Sequence, residues 1–464
     1  MCARARIASC STARGPPSRR SRHGRRMSRP RPTASSANAD LLDVRVITRA
    51  MTADFLIHDA DLVATCAGPG PRVGAAQNNI SPVANASVAG LDGRIVFVGA
   101  AADCDHVVTL TPAAKVIDAH GCTVVPGFID PHTHLVFGGD RREELRRRLG
   151  GATYAEIAAD GGGIVKTVAA TRAASEHDLV ESGRARLADM LAFGTTTAEA
   201  KSGYGLDLVT ELRMLRAIRT LAAGQPIELT ATFMAAHEVP VEYRGRRADY
   251  VRLIIDDMIP AVASEGLAEW CDVFCETGVF TPGESQAILE AGQRHGLKSR
   301  IHADELGLSG GAAVAAKVGA RSADHLIFVD QPHAQLMAER GVVATLLPAA
   351  AFFLKLGRFA PARMLIDQGV AVALATDLNP GGGFTTSMPF VMSLACFGMN
   401  MTLEESLVAA TINAAAAIDR AGTIGSLEPG KQLDAVVING ALADLIRVGA
   451  PVIRHVVKRG RIVG

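Results

Sequence analysis

From residue 123 to residue 376 the sequence repeats one pattern: a short apolar strand-like run, followed in most cases by a stretch with helical periodicity. The strand-like runs fall at 123–130, 195–200, 227–236, 271–276, 298–302, 321–326, 342–347 and 370–376. The helical stretches fall at 176–193, 207–222, 248–265, 283–295, 308–318, 331–340 and 360–368. Eight strands alternating with helices over roughly 250 residues predict an α/β fold, a closed (β/α)8 TIM-like barrel. The competing fold is an open doubly wound sheet, which normally carries a glycine-rich nucleotide turn. Gly161–Gly163 follows no strand, so no phosphate role is assigned to it. Hydrophobic residues make up 48% of the chain and aromatics 4%, so the core is mostly aliphatic.

The flanks read differently. Residues 51–122 give short β runs (DFLIHDADLVAT, GRIVFVGA, AKVIDAHG) around a Gly/Pro/Asn loop, with no helical period. GKQLDAVVING and PVIRHVVKRGRIVG return to that texture at the far end. The expectation is a small β-sandwich domain built from both chain ends, 51–122 and 425–464, beside a barrel over 123–424. Residues 1–50 hold twelve arginines against two aspartates and lack the apolar stretch of a secretory signal. They are read as a disordered basic tail or an over-extended start. The other 414 residues carry 36 Lys+Arg against 45 Asp+Glu, a net of −9, which leaves no nucleic-acid footprint. The eight cysteines are scattered with no C-x-x-C pair, as in a reducing compartment. The longest uncharged run, Leu378 to Leu403, is broken by Asn, Pro and three glycines and cannot cross a bilayer as a regular helix. The expected partner is a small-molecule substrate, with no nucleic acid and no membrane, in the cytoplasm.

In such a barrel the strand ends gather at one face, where the fold does its chemistry. Just past them stand His132 and His134, Lys201 and Tyr204, His237, Glu276, His302 with Glu305, His325, and Asp377 with Asn379. Alone, His132-Thr133-His134 is a short motif that a surface turn can carry. On a strand, alternation sends both imidazoles to one side, and Asp130-Pro131 stiffens the approach. Three imidazoles and one carboxylate suit a metal ion and leave room for a water of lowered pKa, so His132, His134, His302 and Asp377 are the expected ligands. Glu305 is placed to take that water's proton and pass it to a leaving nitrogen, or is simply a first-turn helix charge. His325 is expected to orient the nucleophile or stabilise a developing oxyanion, with a structural histidine as the alternative. Arg141, after a Gly-Gly-Asp turn, suits a carboxylate. The other arginines of RREELRRR are expected to be solvated helix charges. Tyr204 lies in KSGYG, a flexible loop that presents a phenol to a substrate or caps the barrel.

The segments PGFIDPHTHLVFGGDR, GATYAEIAADGGGI, TTTAEAKSGYGLDLVTELRML, DVFCETGVF, IHADE, SADHL, LLPAAAFFL, ALATDLNPG, TINAAAAI and GSLEPGKQLDAVV resemble the amidohydrolase superfamily and, more closely, the imidazolonepropionase family of histidine degradation. H-x-H identifies only the superfamily, whereas GGDR with KSGYG and D-x-N-P-G is far more specific. The resemblance implies hydrolysis of the ring amide of 4-imidazolone-5-propanoate to N-formimidoyl-L-glutamate, with zinc or iron. It puts the metal on the same four residues and gives Glu305 and His325 the catalytic roles. It assigns substrate contacts to Arg141, Tyr204, His237, Glu305, Asn379, Gly381 and Gly382. A homodimer is the expected assembly. Relatives usually continue D-x-N-P-G with a Ser or Thr pair; here Gly382-Gly383 follow, which leaves backbone N–H groups to bind a substrate carboxylate.

Two other classes compete. A mononuclear-metal deaminase of a nucleobase-like ring would use the same H-x-H, H-x-x-E, H and D, but Arg141 with Tyr204 argues against it. A non-catalytic relative would have lost metal ligands, and all are present.

Overall fold

The computed structural model describes residues 50–152, 156–157 and 160–464. Apart from Ala50, the basic head read at 1–50 lies outside them. Strands β1 (Met51–Ala64), β2 (Pro82–Leu91), β3 (Arg94–Ala100), β4 (Val108–Asp118) and β5 (Cys122–Pro126) come first. Next are β6 (Phe128–Asp130), β7 (Thr195–Lys201), β8 (Glu228–Ala236), β9 (Trp270–Cys275), β10 (Lys298–Ala303), β11 (Ser322–His325), β12 (Val343–Leu346) and β13 (Val372–Leu374). The chain finishes with β14 (Ala435–Asn439), β15 (Ile453–Lys458) and β16 (Arg461–Ile462).

One sheet joins the two chain ends in the order β16-β15-β14-β5-β1-β2-β3, with β4 paired to the first part of β1. Phe55, Ile57, Val88, Ile95, Val124, Leu433, Val437 and Val457 pack together from across this sheet, which gives the small sandwich its own core. A seven-residue helix, Ala101–Val107, interrupts the expected all-β texture. Two turns are too short to leave a periodic signal in sequence.

Strands β6 to β13 pair in sequence order, and every pairing is parallel. The barrel closes just past the ends of β13 and β6. Asp377 N–H donates to the His132 carbonyl at 3.2 Å, and His134 N–H to the Leu378 carbonyl at 2.9 Å. Beneath them the Asp130 carboxyl accepts from Thr376 N–H at 3.1 Å and Thr376 Oγ1 at 2.5 Å. Three expected metal ligands therefore lie on the closing seam itself.

The run 123–130, expected as the first barrel strand, splits in two. Cys122–Pro126 pairs with β14 and β1, and only Phe128–Asp130 enters the barrel. The break falls at Gly127, where a Cβ would overlap the Thr196 side chain, so only glycine allows the chain to pass β7 so closely.

Helices Glu176–Ala192, Leu208–Ala223, Pro282–Arg294 and Gln331–Arg340 start where a side chain satisfies the first turn. Ser175 and Thr281 form capping boxes with Asp178 and Glu284, and Asp207 and Asp330 cap the other two. The stretch at 248–265 is one helical run with a π turn at Ile254–Met258, ahead of Pro260, whose ring cannot donate an N–H. No helix among the described residues is long and apolar enough to cross a membrane.

Candidate active site

His132 and His134 follow β6, His302 lies in β10, His325 ends β11 and Asp377 follows β13. His132 Nδ1 is 2.6 Å from Asp324 Oδ2, and His302 Nδ1 is 3.1 Å from Asp272 Oδ1. Carboxylates accept, so both rings carry their proton on Nδ1 and turn the Nε2 lone pair inward. Burial alone would raise the Asp272 carboxyl, but His302 and Lys201 beside it hold it well below the ordinary range. His132 Nε2 and His134 Nε2 lie 3.6 and 3.8 Å from Asp377 Oδ1, and His134 Nε2 is 3.2 Å from His302 Nε2. The Nε2 of His132 is buried without a hydrogen-bond partner. Inward lone pairs crowded around a carboxylate fit a cation, and three imidazoles with one carboxylate suit a transition metal.

Ligand atoms of His132, His134 and Asp377 lie within 4.8 Å of one another, and so do those of His132, His302 and His325. Distance alone therefore brings His325 as close as Asp377. Burial, reinforced by the neighbouring cations and imidazoles, holds His132, His134 and His325 well below the usual histidine value. They are neutral at neutral pH, the state in which imidazole ligates. Burial and then Glu305 push the Asp377 carboxyl well above the ordinary range, a shift that a cation among these groups reverses. His325 and Asp377 both hold left-handed backbone, with φ 74° and 52°, a strained state that the surroundings must impose.

A cavity of about 460 Å³ opens onto this cluster. Of the expected site residues, His134, His302, Asp377, Glu305, His325, Arg141, Tyr204, His237, Asn379, Gly381 and Gly382 line it, and His132 is wholly buried. The loop that carries Glu305 is fixed by Asp304, whose Oδ1 accepts from the N–H groups of Ser309 and Gly310 at 2.8 and 2.9 Å. Glu305 Oε1 lies 3.6 Å from His325 Nδ1. Burial, then Glu276, pushes the Glu305 carboxyl up to about 8, so it holds and releases a proton in the physiological range.

His237 Nδ1 is 2.9 Å from the Gly203 carbonyl, which only accepts, so His237 Nε2 is left as an acceptor. Burial pushes its pKa down to about 3. Its ring stacks on His134 with centroids 4.8 Å apart, and Tyr204 packs beside both. The KSGYG loop, expected to be flexible, is pinned from behind: Glu211 accepts from the N–H groups of Gly203, Gly205 and Leu206 at 3.0, 2.8 and 2.9 Å.

Arg141 is buried, with Nε donating to Glu144 Oε2 at 2.7 Å and its guanidinium against Gly381. Arg148, expected as a solvated helix charge, is buried and lines the same cavity. It donates to the carbonyls of Gly381 and Phe353 at 2.8 and 3.0 Å. The spacing shows why: residues seven apart share a helix face, so Arg148 follows Arg141 inward. Of the Gly382-Gly383 N–H groups expected to bind an anion, that of Gly382 already donates to Asn379 Oδ1 at 2.6 Å, as does the Gly381 N–H at 2.7 Å. With Lys355, the two guanidinium groups carry the positive charge of the cavity lining.

Lys201 and Glu276, also at strand ends, do not line the cavity. Lys201 lies between Glu199 and Asp272, and Glu276 accepts from the N–H groups of Thr277 and Leu306. Sequence reasoning missed Asp272 and Asp324. For Asp272 the signal is an acid within the otherwise apolar strand WCDVFC; Asp324 lies in the polar strand SADH, where no such contrast marks it.

The chain matches the model of the amidohydrolase family over residues 123–463. It is 50% identical over 414 residues to the imidazolonepropionase of Geobacillus thermodenitrificans, covering 88% of this chain and 97% of that one. It is 49% identical over 413 residues to the imidazolonepropionase of Symbiobacterium thermophilum, with the same shares covered. Among solved structures it is similar to an adenosine deaminase from Xanthomonas campestris with bound zinc, at TM-score 0.63 and 18% identity over 89% of this chain and 93% of that one. It is also similar to the atrazine chlorohydrolase of Arthrobacter aurescens complexed with zinc, at TM-score 0.65 and 16% identity over 88% and 94%. At such identity these two likenesses concern the fold alone.

Proposed function

The chain belongs to the amidohydrolase family and, within it, to the imidazolonepropionases, and from that premise we propose that it hydrolyses the ring amide C–N bond of 4-imidazolone-5-propanoate, giving N-formimidoyl-L-glutamate in histidine degradation. The observation that carries this reading is a single cavity lined both by a donor set that fits a metal and by two guanidinium groups that fit a carboxylate. A purely apolar ring would need no such wall.

His132, His134, His302 and Asp377 would hold one ion, zinc or iron. When bound, the metal lowers the pKa of a water and polarises the ring carbonyl. Arg141, backed by Glu144 and by Arg148 on Gly381, anchors the propionate carboxylate and so sets which ring atom faces the donor cluster. Tyr204 packs against the ring, and His237 Nε2 accepts one of its N–H groups. Glu305 takes the proton of the attacking water and delivers it to the departing ring nitrogen. A carboxyl of raised pKa suits both halves of that transfer. His325, a neutral imidazole 3.6 Å from Glu305, donates to the oxygen on which negative charge develops. The proposed assembly is a homodimer, which light scattering at micromolar concentration reads directly.

Zinc- or iron-loaded protein incubated with the substrate is expected to yield N-formimidoyl-L-glutamate by mass and no ammonia from a panel of nucleobases. Ammonia release from a nucleobase, with no loss of the imidazolone, would replace this reading with that of a deaminase.

A further inference from the structure

Lys201, at the end of β7, has its side chain wholly buried in the barrel interior. Its Nζ lies 2.8 Å from Asp272 Oδ2 and 3.0 Å from Glu199 Oε1. Each carboxylate spends its other oxygen on the proposed metal centre. Asp272 Oδ1 holds His302 Nδ1 at 3.1 Å, and Glu199 Oε2 accepts from the N–H of Thr133 at 3.1 Å. Thr133 Oγ1 donates to the Glu199 carbonyl at 2.7 Å, and Lys201 N–H donates to the Thr133 carbonyl at 3.0 Å. Thr133 is the residue between His132 and His134. One ammonium group therefore stands behind three imidazoles.

We infer that Lys201 is a positioning residue for the metal centre: its ammonium fixes Asp272 against His302 and Glu199 against Thr133, and so sets how tightly the site holds its ion. The inference rests on the reading above that these imidazoles ligate a metal. With no cation between them, these two buried carboxylates lose the ammonium that holds each in place and repel each other. A displaced Asp272 no longer fixes the orientation of His302, and outer groups of this kind govern metal affinity. The same device recurs behind His132, where Arg300 Nη2 lies 3.1 Å from Asp324 Oδ2 and 2.6 Å from the Pro131 carbonyl. Cation, carboxylate and imidazole in line on two different strands point to a built support rather than incidental ion pairing.

The contrasting case is an ion pair that only holds the fold. Lys458 on β15 supplies it, buried with its Nζ 2.8 Å from Asp434 and 3.4 Å from both Glu228 and Thr197, none of which touches an imidazole of the site. The test measures the Zn2+ dissociation constant by chelator competition, and thermal unfolding of the metal-free form, for the full chain carrying Lys201→Met, Lys201→Arg or Lys458→Met. Lys201→Met is expected to weaken Zn2+ binding about tenfold or more, and Lys201→Arg to recover part of it. Lys458→Met is expected to lose stability with wild-type affinity. Folded Lys201→Met protein with wild-type affinity overturns the inference, as does an equal loss of affinity in Lys458→Met. Should Lys201→Met fail to fold, Glu199→Gln, which keeps its shape but not its charge, takes its place: weakened Zn2+ binding supports the inference and wild-type binding overturns it. Wild-type Zn2+ binding that survives His132→Ala contradicts the metal reading itself, and this inference with it.

Discussion

Glu305 is where burial and chemistry meet most directly. It must be ionised to accept a proton, yet burial holds its carboxyl up to about 8. A cation in the neighbouring donor set favours the carboxylate and lowers that value. Turnover by the loaded enzyme is thus expected to fall as pH drops through an acid limb that lies below 8. Glu305→Gln should keep its metal, lose on the order of 10²-fold in kcat and lose that limb. An unchanged kcat, or an unchanged limb, removes Glu305 from proton transfer. Arg141→Lys keeps the charge but not the planar fork, so KM should rise about tenfold with kcat nearly unchanged, and an unaltered KM takes Arg141 off the carboxylate. The residues proposed to hold the metal could be picked out in sequence because His132, His134 and Asp377 fall just past strand ends and His302 in the last residues of β10. Arg148 was not, because a run of arginines looks solvated until the helix face is drawn. Asp272 was hidden among the apolar residues of β9, and Asp324 stood in the short strand SADH, where nothing in the pattern marks its contact with His132.

Among the elements, helices and strands were legible wherever a cap or a change of period marks them, as at Ser175 and Thr281. The first barrel strand was not, because CTVVPGFID reads as one mostly apolar run and its division depends on how closely Gly127 passes β7. Loops were the least legible. KSGYG looked mobile from its glycines, yet Glu211 ties down two of its N–H groups, those of Gly203 and Gly205, and that of Leu206 just after it. The segment after β13 is similarly closed on itself: Asn379 N–H donates to the Gly383 carbonyl at 3.0 Å, and a Cβ on Gly383 would overlap the Asp377 carbonyl. The missing Ser/Thr pair is thus a loop that passes too close to the site's own backbone to carry a side chain at Gly383. Gly383→Ala is expected to destabilise the protein by roughly 1–3 kcal/mol and to reduce metal content together with activity. Wild-type unfolding and metal content would show that the loop tolerates the group.

At the scale of the molecule, the two chain ends share one sheet, so the barrel lies between segments that must find each other. Strand β14 pairs along all five residues of β5, and Leu433, Val437 and Val457 complete the core around Phe55 and Ile57. Removing residues 435–464 would bare that edge and that core together, and aggregation during expression is the expected outcome. A soluble truncated chain with wild-type unfolding would show that the sandwich does not depend on its second half. The joining of the ends was legible from their shared texture and the barrel from its eightfold repeat. The polar interior that links Lys201 and Arg300 to the imidazoles depends on side-chain contacts between strands, which no single stretch displays. The most direct measurement of the central claim is turnover of 4-imidazolone-5-propanoate as metal is titrated into metal-free protein, with bound metal measured in the same samples. Loss of substrate absorbance that rises in proportion to bound metal and saturates at one ion per chain is expected, with His132→Ala inactive throughout. Turnover independent of metal, or full metal binding with the imidazolone left intact, would contradict it.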